Sequence, residues 1–190
     1  MKKLSRTTIT AHVLGACMLV FMGNCQADDS CQITLSQPLL DLHMLNKSEA
    51  IKSAQGWNQM QDVDVNVSVF CPTERTIAVF FAGSAGDKGR FKFGQQSGLS
   101  LKVSQLSLDG KQYAVTKIVH PGSLTNFDSV ADIQPIYNHQ GIIATSGNRA
   151  VEGQQMNFTL TVTPYVKESE FKASDRQTLS SDLALAVMDN

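Results

Sequence analysis

The chain has 190 residues, of which 42% are hydrophobic and 17% are charged, and its formal net charge is -1. This length suffices for one domain with a substantial core and is too short for two full-sized domains. The near-neutral charge argues against nucleic acid as a partner, and a content of only 5 prolines and 13 glycines argues against a low-complexity chain.

The N-terminal segment has the pattern of a secretory signal peptide. Cations at Lys2, Lys3 and Arg6 precede an apolar run over residues 13–23, which is too short to span a bilayer comfortably. Residues 25–27 offer small side chains at the two positions that a signal peptidase reads. The pattern therefore predicts that the chain is exported.

Cleavage is predicted after the signal peptide, residues 1–27, and would leave residues 28–190 as one mature domain. The alternative is a lipoprotein signal with Cys17 as the lipid acceptor. This alternative is disfavoured because threonines and a histidine interrupt the segment before Cys17, whereas the strongest apolar residues follow it.

The cysteines divide at the predicted cleavage site. Cys17 and Cys25 would leave with the signal peptide, whereas Cys31 and Cys71 stay in the mature chain. In an exported chain, two remaining cysteines are most simply one disulfide. The histidines of the mature chain stand at no metal-ligand spacing; they are His43, His120 and His139. We therefore expect neither a metal nor another cofactor.

Residues 46–54 form the only helical pattern of the mature chain. Asn46 is placed to cap this segment, with Glu49 at the capping-box position. Trp57 follows in a predicted loop, where its ring either closes one end of the core or stacks on a ligand such as a sugar. Trp57 is therefore a candidate ligand contact.

Period-two alternation dominates the rest of the chain. Residues 63–70 place valines on one face and polar side chains on the other, and residues 76–83 form a second strand that is apolar on both faces. Residues 99–108 lead into an Asp-Gly hairpin signal at 109–110, with a return strand predicted over 113–119.

Two further strands are predicted towards the C-terminus. The inward face of the first carries Met156, Phe158, Leu160 and Val162, and that of the second carries Leu183, Leu185 and Val187. Loops are predicted at 82–89, 120–126 and 166–181. Short strands at this spacing favour an all-β sandwich with an immunoglobulin-like architecture.

The sequence shows no pattern of a catalytic site. The glycine-rich residues 83–94 lack the Gly-Lys-Ser/Thr ending of a phosphate loop, and neither a serine-nucleophile motif nor a zinc-protease motif is present. The acidic residues are dispersed and are interpreted as solvated charge. We therefore expect a protein that is not an enzyme.

Over most of residues 31–190, the chain resembles a pilin subunit of the chaperone–usher pathway of Gram-negative bacteria. The resemblance lies in the order of its landmarks. Cys31 opens a first strand, and Cys71 ends a strong strand 40 positions later. An apolar strand ending in glycine, an Asp-Gly hairpin, a penultimate strand ending at Tyr165 and a final alternating strand complete the order.

The resemblance implies an incomplete immunoglobulin-like β-sandwich that lacks its last strand. The groove left along the core accepts a strand from a periplasmic pilus chaperone. At the outer-membrane usher, the N-terminal arm of a neighbouring pilin subunit replaces that strand. By the same resemblance, Cys31 and Cys71 form a bridge between adjacent strands. The implied groove residues are Ile33 and Leu35 on one border and Leu183, Leu185 and Val187 on the other.

The chain departs from the family pattern at both ends. The aromatic residue that is often next to last is absent. After the predicted cleavage, only residues 28–30 precede Cys31, where family members carry a donor arm. We therefore expect a minor or tip subunit of a fimbrium at the cell surface, which accepts a strand without donating one and has a host or surface ligand as a further candidate partner. The alternative is a self-contained secreted β-sandwich that recognises carbohydrate or protein.

Overall fold

A computed structural model describes residues 29–119, 129–147, 149–172 and 178–189. The predicted signal peptide and the predicted loop at 120–126 lie outside these residues. Antiparallel β-strands make up most of the described chain, which confirms the all-β prediction.

The strands are β1 (Gln32–Leu35), β2 (Lys52–Ala54), β3 (Trp57–Gln59), β4 (Val63–Gly83), β5 (Phe91–Phe93), β6 (Ser97–Leu108), β7 (Lys111–Gln112), β8 (Val115–Ile118), β9 (Ser129–Ala131), β10 (Ile133–Ile136), β11 (Gly141–Ser146), β12 (Arg149–Ala150), β13 (Glu152–Lys167) and β14 (Leu183–Asp189). Single helical turns span Lys47–Glu49 and α1 (Glu168–Phe171), and a tight turn with left-handed Lys88 (φ 58°) spans Asp87–Gly89.

The strands predicted at 63–70 and 76–83 are parts of one continuous strand, β4, which spans 21 residues. Pro72 lies near its middle and has no N–H with which to bond a neighbouring strand. β13 pairs with β4 on both sides of this point, and the Pro72 carbonyl accepts a bond of 3.2 Å from the Gln154 side chain. The prediction of two separate strands is wrong because this long partner carries the pairing past the proline.

β4 belongs to two sets of paired strands. Val67 and Val69 have partners on both β1 and β13, so these strands lie along opposite edges of its first half. Val79 and Phe80 have partners on both β14 and β11, which flank its second half in the same way. Pairing continues from β13 to β6 and β10, and from β11 to β8 and β9.

The inward side chains of both sets share one core. Val69, Phe81 and Val103 are fully buried in it. Phe81, on the second half of β4, contacts Phe158 of β13 edge to face, with ring centroids 6.3 Å apart. The opposite face of this half of β4 carries a smaller buried cluster around Phe80, as predicted for a strand that is apolar on both faces.

The Asp-Gly turn at 109–110 is confirmed, since both residues have positive φ (49° and 78°), as a two-residue hairpin turn requires. The strand predicted over 113–119 is present as β8, but its predicted return along β6 is wrong. Only β7 returns along β6, whereas β8 pairs with β11 and β9. All four residues of β8 are buried, because Val115 packs into the main core on one face and Ile118 packs into the smaller cluster around Phe80 on the other.

The predicted helical segment at 46–54 is largely wrong. Helical geometry is limited to Lys47–Glu49, and residues 52–54 form β2, which pairs with β3. The Asn46 amide donates to the Glu49 carboxylate at 3.2 Å and caps no backbone N–H. Pairing with β3 therefore outweighs a weak helical tendency in this short segment.

Two predicted loops are shorter than expected. β4 extends to Gly83, so the loop predicted at 82–89 starts only at residue 84. This loop contains the turn at Asp87–Gly89. The loop predicted at 166–181 starts only after α1, because β13 extends to Lys167 and α1 follows it directly. The final predicted strand is confirmed as β14.

Candidate functional site

The disulfide between Cys31 and Cys71 ties the beginning of β1 to the middle of β4. The adjacent residues Gln32 and Phe70 are paired partners, so the cysteines stand opposite each other, with Cα atoms 4.2 Å apart. The predicted bridge is confirmed. The guanidinium of Arg75 on β4 also donates to the Asp29 carboxylate at 3.3 Å, which holds the chain just ahead of β1.

β1 presents Ile33 and Leu35 to the core, opposite Val69 and Val67 respectively. The two valines are buried, whereas the two β1 residues are only partly buried. The intervening Thr34 is exposed. Within the described chain, β4 is the sole paired strand of β1, so its other edge is open.

The segment after β1, residues 37–45, continues over the core without forming a strand. Its leucines at 40, 42 and 45 pack against the core and are partly buried. The last backbone bond before it runs from the Ser36 N–H to the Asn66 carbonyl at 2.9 Å. Across the described ranges, no backbone-to-backbone hydrogen bond reaches residues 37–45. The segment thus covers the core with side chains while its peptide groups have no strand partner.

β14 forms the opposite border. Leu183, Leu185 and Val187 stand opposite Gly83, Phe81 and Val79, and all three pack against the core while staying partly exposed. The residues between them point outward and are exposed. β14 pairs with β4 alone among the strands that the structure describes.

These two borders define the open-edge groove: Ile33, Leu35, Leu40, Leu42 and Leu45 on one side, and Leu183, Leu185 and Val187 on the other. Cα atoms of β1 and β14 approach within 8 Å, yet no strand pairing joins them in the described residues. The structure therefore brings all five predicted groove residues to the margin of one core. Sequence reasoning missed the three leucines at 40, 42 and 45. The alternation of Leu40 and Leu42 after Pro38 was the available signal.

Open strand edges have a defined chemistry. Backbone N–H and C=O groups along such an edge bind an added strand, and apolar side chains that alternate along it set the register. An incoming strand that carries apolar residues at every second position would complete the burial of both borders.

Trp57 is not among the residues of this groove and is 6% exposed. Its ring contacts the guanidinium of Arg90 at 4.8 Å and the ammonium of Lys167 at 4.1 Å. Arg90 also lies 4.0 Å from the ring centroid of Tyr165. The indole therefore packs among cationic side chains and offers little surface for a sugar to stack on.

An ion pair links Lys47, which follows residues 37–45, to Glu168, which directly follows β13. The Lys47 ammonium lies 2.6 Å from the Glu168 carboxylate, which also accepts a bond from the Asn58 amide at 3.3 Å. The pKa of Glu168 lies below its ordinary value of 4.5. The hydrogen bond from Lys47 is the larger cause, and the hydrogen bond from Asn58 is the next largest.

The described ranges contain no group of three histidine, cysteine, aspartate or glutamate side chains placed to hold a metal. No described helix is long and apolar enough to cross a membrane. His43 is exposed beside Asp41, with 3.4 Å between Nδ1 and the carboxylate, and His120 lies outside the described chain. The sequence matches no protein-family model and no curated protein.

Proposed function

We propose that this protein is a subunit of a chaperone–usher fimbria that accepts a β-strand from a partner in the open-edge groove. The observation that carries the proposal is the partial exposure of Leu183, Leu185 and Val187. These residues face the core on an outermost strand, yet they remain partly exposed. A self-contained sandwich would bury such a row of apolar side chains under a further strand.

The order of the strands supports the immunoglobulin-like part of the proposal. β1, the first half of β4, β13 and β6 follow one another across one set, and β14, the second half of β4 and β11 across the other. In this interpretation the strand that is missing from the sandwich would lie beside β14. The first partner to fill that place is a periplasmic pilus chaperone, and the second is a neighbouring subunit at the outer-membrane usher.

The proposed place in the fimbrium is the tip or another minor position. If cleavage follows residue 27, three residues precede Cys31. Cys31 is bonded to Cys71 and Asp29 to Arg75, so these positions are held to β4 of the same molecule. We expect such a subunit to receive a strand and not to donate one. Sequencing of the N-terminus of the exported protein tests this point, since an arm of ten or more residues ahead of Cys31 would contradict it.

A strand-complementation experiment tests the proposal. The exported chain is produced alone, with a periplasmic chaperone of this pathway, and with a synthetic peptide that carries apolar residues at alternate positions. We expect the chaperone or the peptide to bind and to raise the unfolding temperature, and hydrogen exchange to slow at β14 and at residues 37–45. A peptide of the same length with polar residues at those positions is the control.

The alternative, a self-contained secreted binding module, predicts a different result. The chain alone would then be a soluble monomer with a cooperative and reversible unfolding transition. Neither chaperone nor peptide would change that transition, and the fimbrial proposal would be lost.

A further inference from the structure

The strands paired along the first half of β4 carry a row of uncharged polar side chains on the face that points away from the core. Thr34, Ser68, Asn157, Ser107 and Gln112 stand opposite one another in that order across β1, β4, β13, β6 and β7. An open groove of about 660 Å³ lies over this face. Here it is called the amide groove, and its lining includes Thr34, Ser68, Asn157 and Gln112.

The next row of the same face continues this chemistry. Thr159 stands opposite Asn66, and its hydroxyl oxygen lies 3.5 Å from the side-chain Oδ1 of Asn66 and 3.0 Å from the side-chain Oε1 of Gln105. The single hydroxyl proton can be donated to either amide oxygen, and the shorter distance favours Gln105. Among the described residues, the amide nitrogens of Asn66 and Gln105 donate no hydrogen bond, and the Gln112 and Asn157 side chains make none. The amide groove therefore offers both donors and acceptors to an incoming molecule.

A backbone irregularity shapes the groove. Asn157 pairs with Ser107, but Thr159 pairs with Ser104, so β6 contains an extra residue at this point. Gln105 lies in this bulge with φ of 55°, a left-handed conformation that is uncommon for a residue with a side chain. Bulges of this kind redirect side chains and concentrate next to binding sites. Gln105 also lines an adjoining hollow that includes Tyr113.

Charge is missing from the lining of the amide groove. None of its lining residues is ionisable. Charged side chains return one row away, where Asp64 and Lys102 flank Thr161, and in the adjoining hollow, which Asp132 lines. At the other end, Phe70 follows Ser68 on the same face of β4 and is 52% exposed. Two residues along a strand separate side chains by about 7 Å, so the Phe70 ring lies within the reach of a ligand in the groove.

We propose that the amide groove binds a neutral oligosaccharide. Sugar hydroxyl groups donate and accept hydrogen bonds, and amide side chains match both roles. The apolar C–H face of a sugar ring stacks on an aromatic ring, for which Phe70 is exposed and suitably placed. A lining without charge gives no reason to prefer an anionic glycan. The inference does not rest on the proposed function, because these side chains face away from the core that the open-edge groove leaves uncovered.

The test uses the full exported chain, purified in whichever soluble form it takes. Its binding is measured to immobilised neutral oligosaccharides of glucose, galactose, mannose and N-acetylglucosamine, and to sialylated and sulfated counterparts. We expect a neutral oligosaccharide to bind with an affinity that changes less than about twofold between about 0.05 M and about 0.5 M salt. Binding of anionic glycans only, or of none of these glycans, would overturn the proposal.

Matched variants locate the site. Gln112→Ala and Phe70→Ala should each weaken binding about three- to tenfold, whereas Phe70→Trp should retain it. Gln95→Ala, at an exposed glutamine outside the groove, should have no effect. An unchanged unfolding temperature shows that each variant is folded. Equal binding by Gln112→Ala and Gln95→Ala would contradict a site in the amide groove.

Discussion

Leu185 on β14 lies directly opposite Phe81 on β4, and the two side chains point to the same side of the paired strands. Phe81 is fully buried, whereas Leu185 remains partly exposed. The difference arises because β4 has a neighbour along each edge at this level, while β14 has only β4 in the described part of the chain. The uncovered side of Leu185 is where an added strand would lie.

A charge at Leu185 should prevent strand acceptance. In Leu185→Asp, the incoming strand would bury a carboxylate without a partner, so the affinity for the alternating apolar peptide should fall by at least about tenfold. Isothermal titration measures this affinity. Ala184→Asp is the matched control, because Ala184 points outward from the same strand and is exposed. Equal affinities for the two variants would contradict the open-edge groove.

Loss of the disulfide should lower the free energy of unfolding. The bridge closes a loop over a sequence separation of 40 residues. In the chain-entropy model this closure is worth about 4 kcal/mol, so the double variant Cys31→Ser/Cys71→Ser should lose stability of this size in a denaturant titration. Thiol titration of the unfolded exported protein is the companion measurement. It should find no free thiol before reduction and two after it, and four would contradict removal of Cys17 and Cys25.

The edge-to-face contact of Phe81 with Phe158 should contribute strongly to stability. Phe81→Ala should lower the free energy of unfolding by about 3–5 kcal/mol, because it removes a ring from the centre of the core. Phe70→Ala removes the same ring from an exposed position on the same strand and should cost about 0.5 kcal/mol or less. Denaturant unfolding of the complemented protein gives both values. A similar loss for both variants would show that Phe81 is not at the centre of a packed core.

The ion pair between Lys47 and Glu168 should make a small pH-dependent contribution. The pKa of Glu168 is lower in the folded chain than its ordinary value of 4.5, so its stabilisation is fully present above that value. It is lost as the pH falls through the lower folded-state pKa. The stability difference between the natural chain and Glu168→Gln should therefore be present at neutral pH and disappear in acid.

Lys47→Met is the control for this titration, because it removes the first cause of the lowered pKa and leaves the carboxyl group in place. The pH dependence attributed to Glu168 should be weaker in this variant. An undiminished pH dependence in Lys47→Met would assign the effect to another group.

Some of this architecture follows from the sequence alone. Period-two alternation placed Val65, Val67 and Val69 inside, and the same rule gave the inward faces of β13 and β14. The two cysteines of the predicted mature chain indicated the disulfide, and the Asp-Gly pair predicted the tight turn. Each of these features depends on residues that are neighbours in sequence, or on a simple count, and needs no knowledge of which strands lie side by side.

Strand neighbours were decided by the tertiary structure. The alternation in β8 is compatible with a hairpin return, but the structure pairs β8 with β11 and β9 and buries its two faces in two different apolar clusters. Likewise, Pro72 interrupts a strand in the sequence, but pairing with β13 continues β4 past it. The bulge at Gln105, which shapes the amide groove, arises from the register between β6 and β13.

The sequence by itself determined which side chains face the core and which cysteines could pair, because alternation within a strand is a local property. Only the tertiary structure decided that β1, residues 37–45 and β14 stand at edges of one core that no other described strand covers. An open edge is the absence of a neighbour, and neighbours come from distant parts of the chain. Their arrangement is set by the closure of the whole core around Phe81 and Phe158, which no short stretch of sequence encodes.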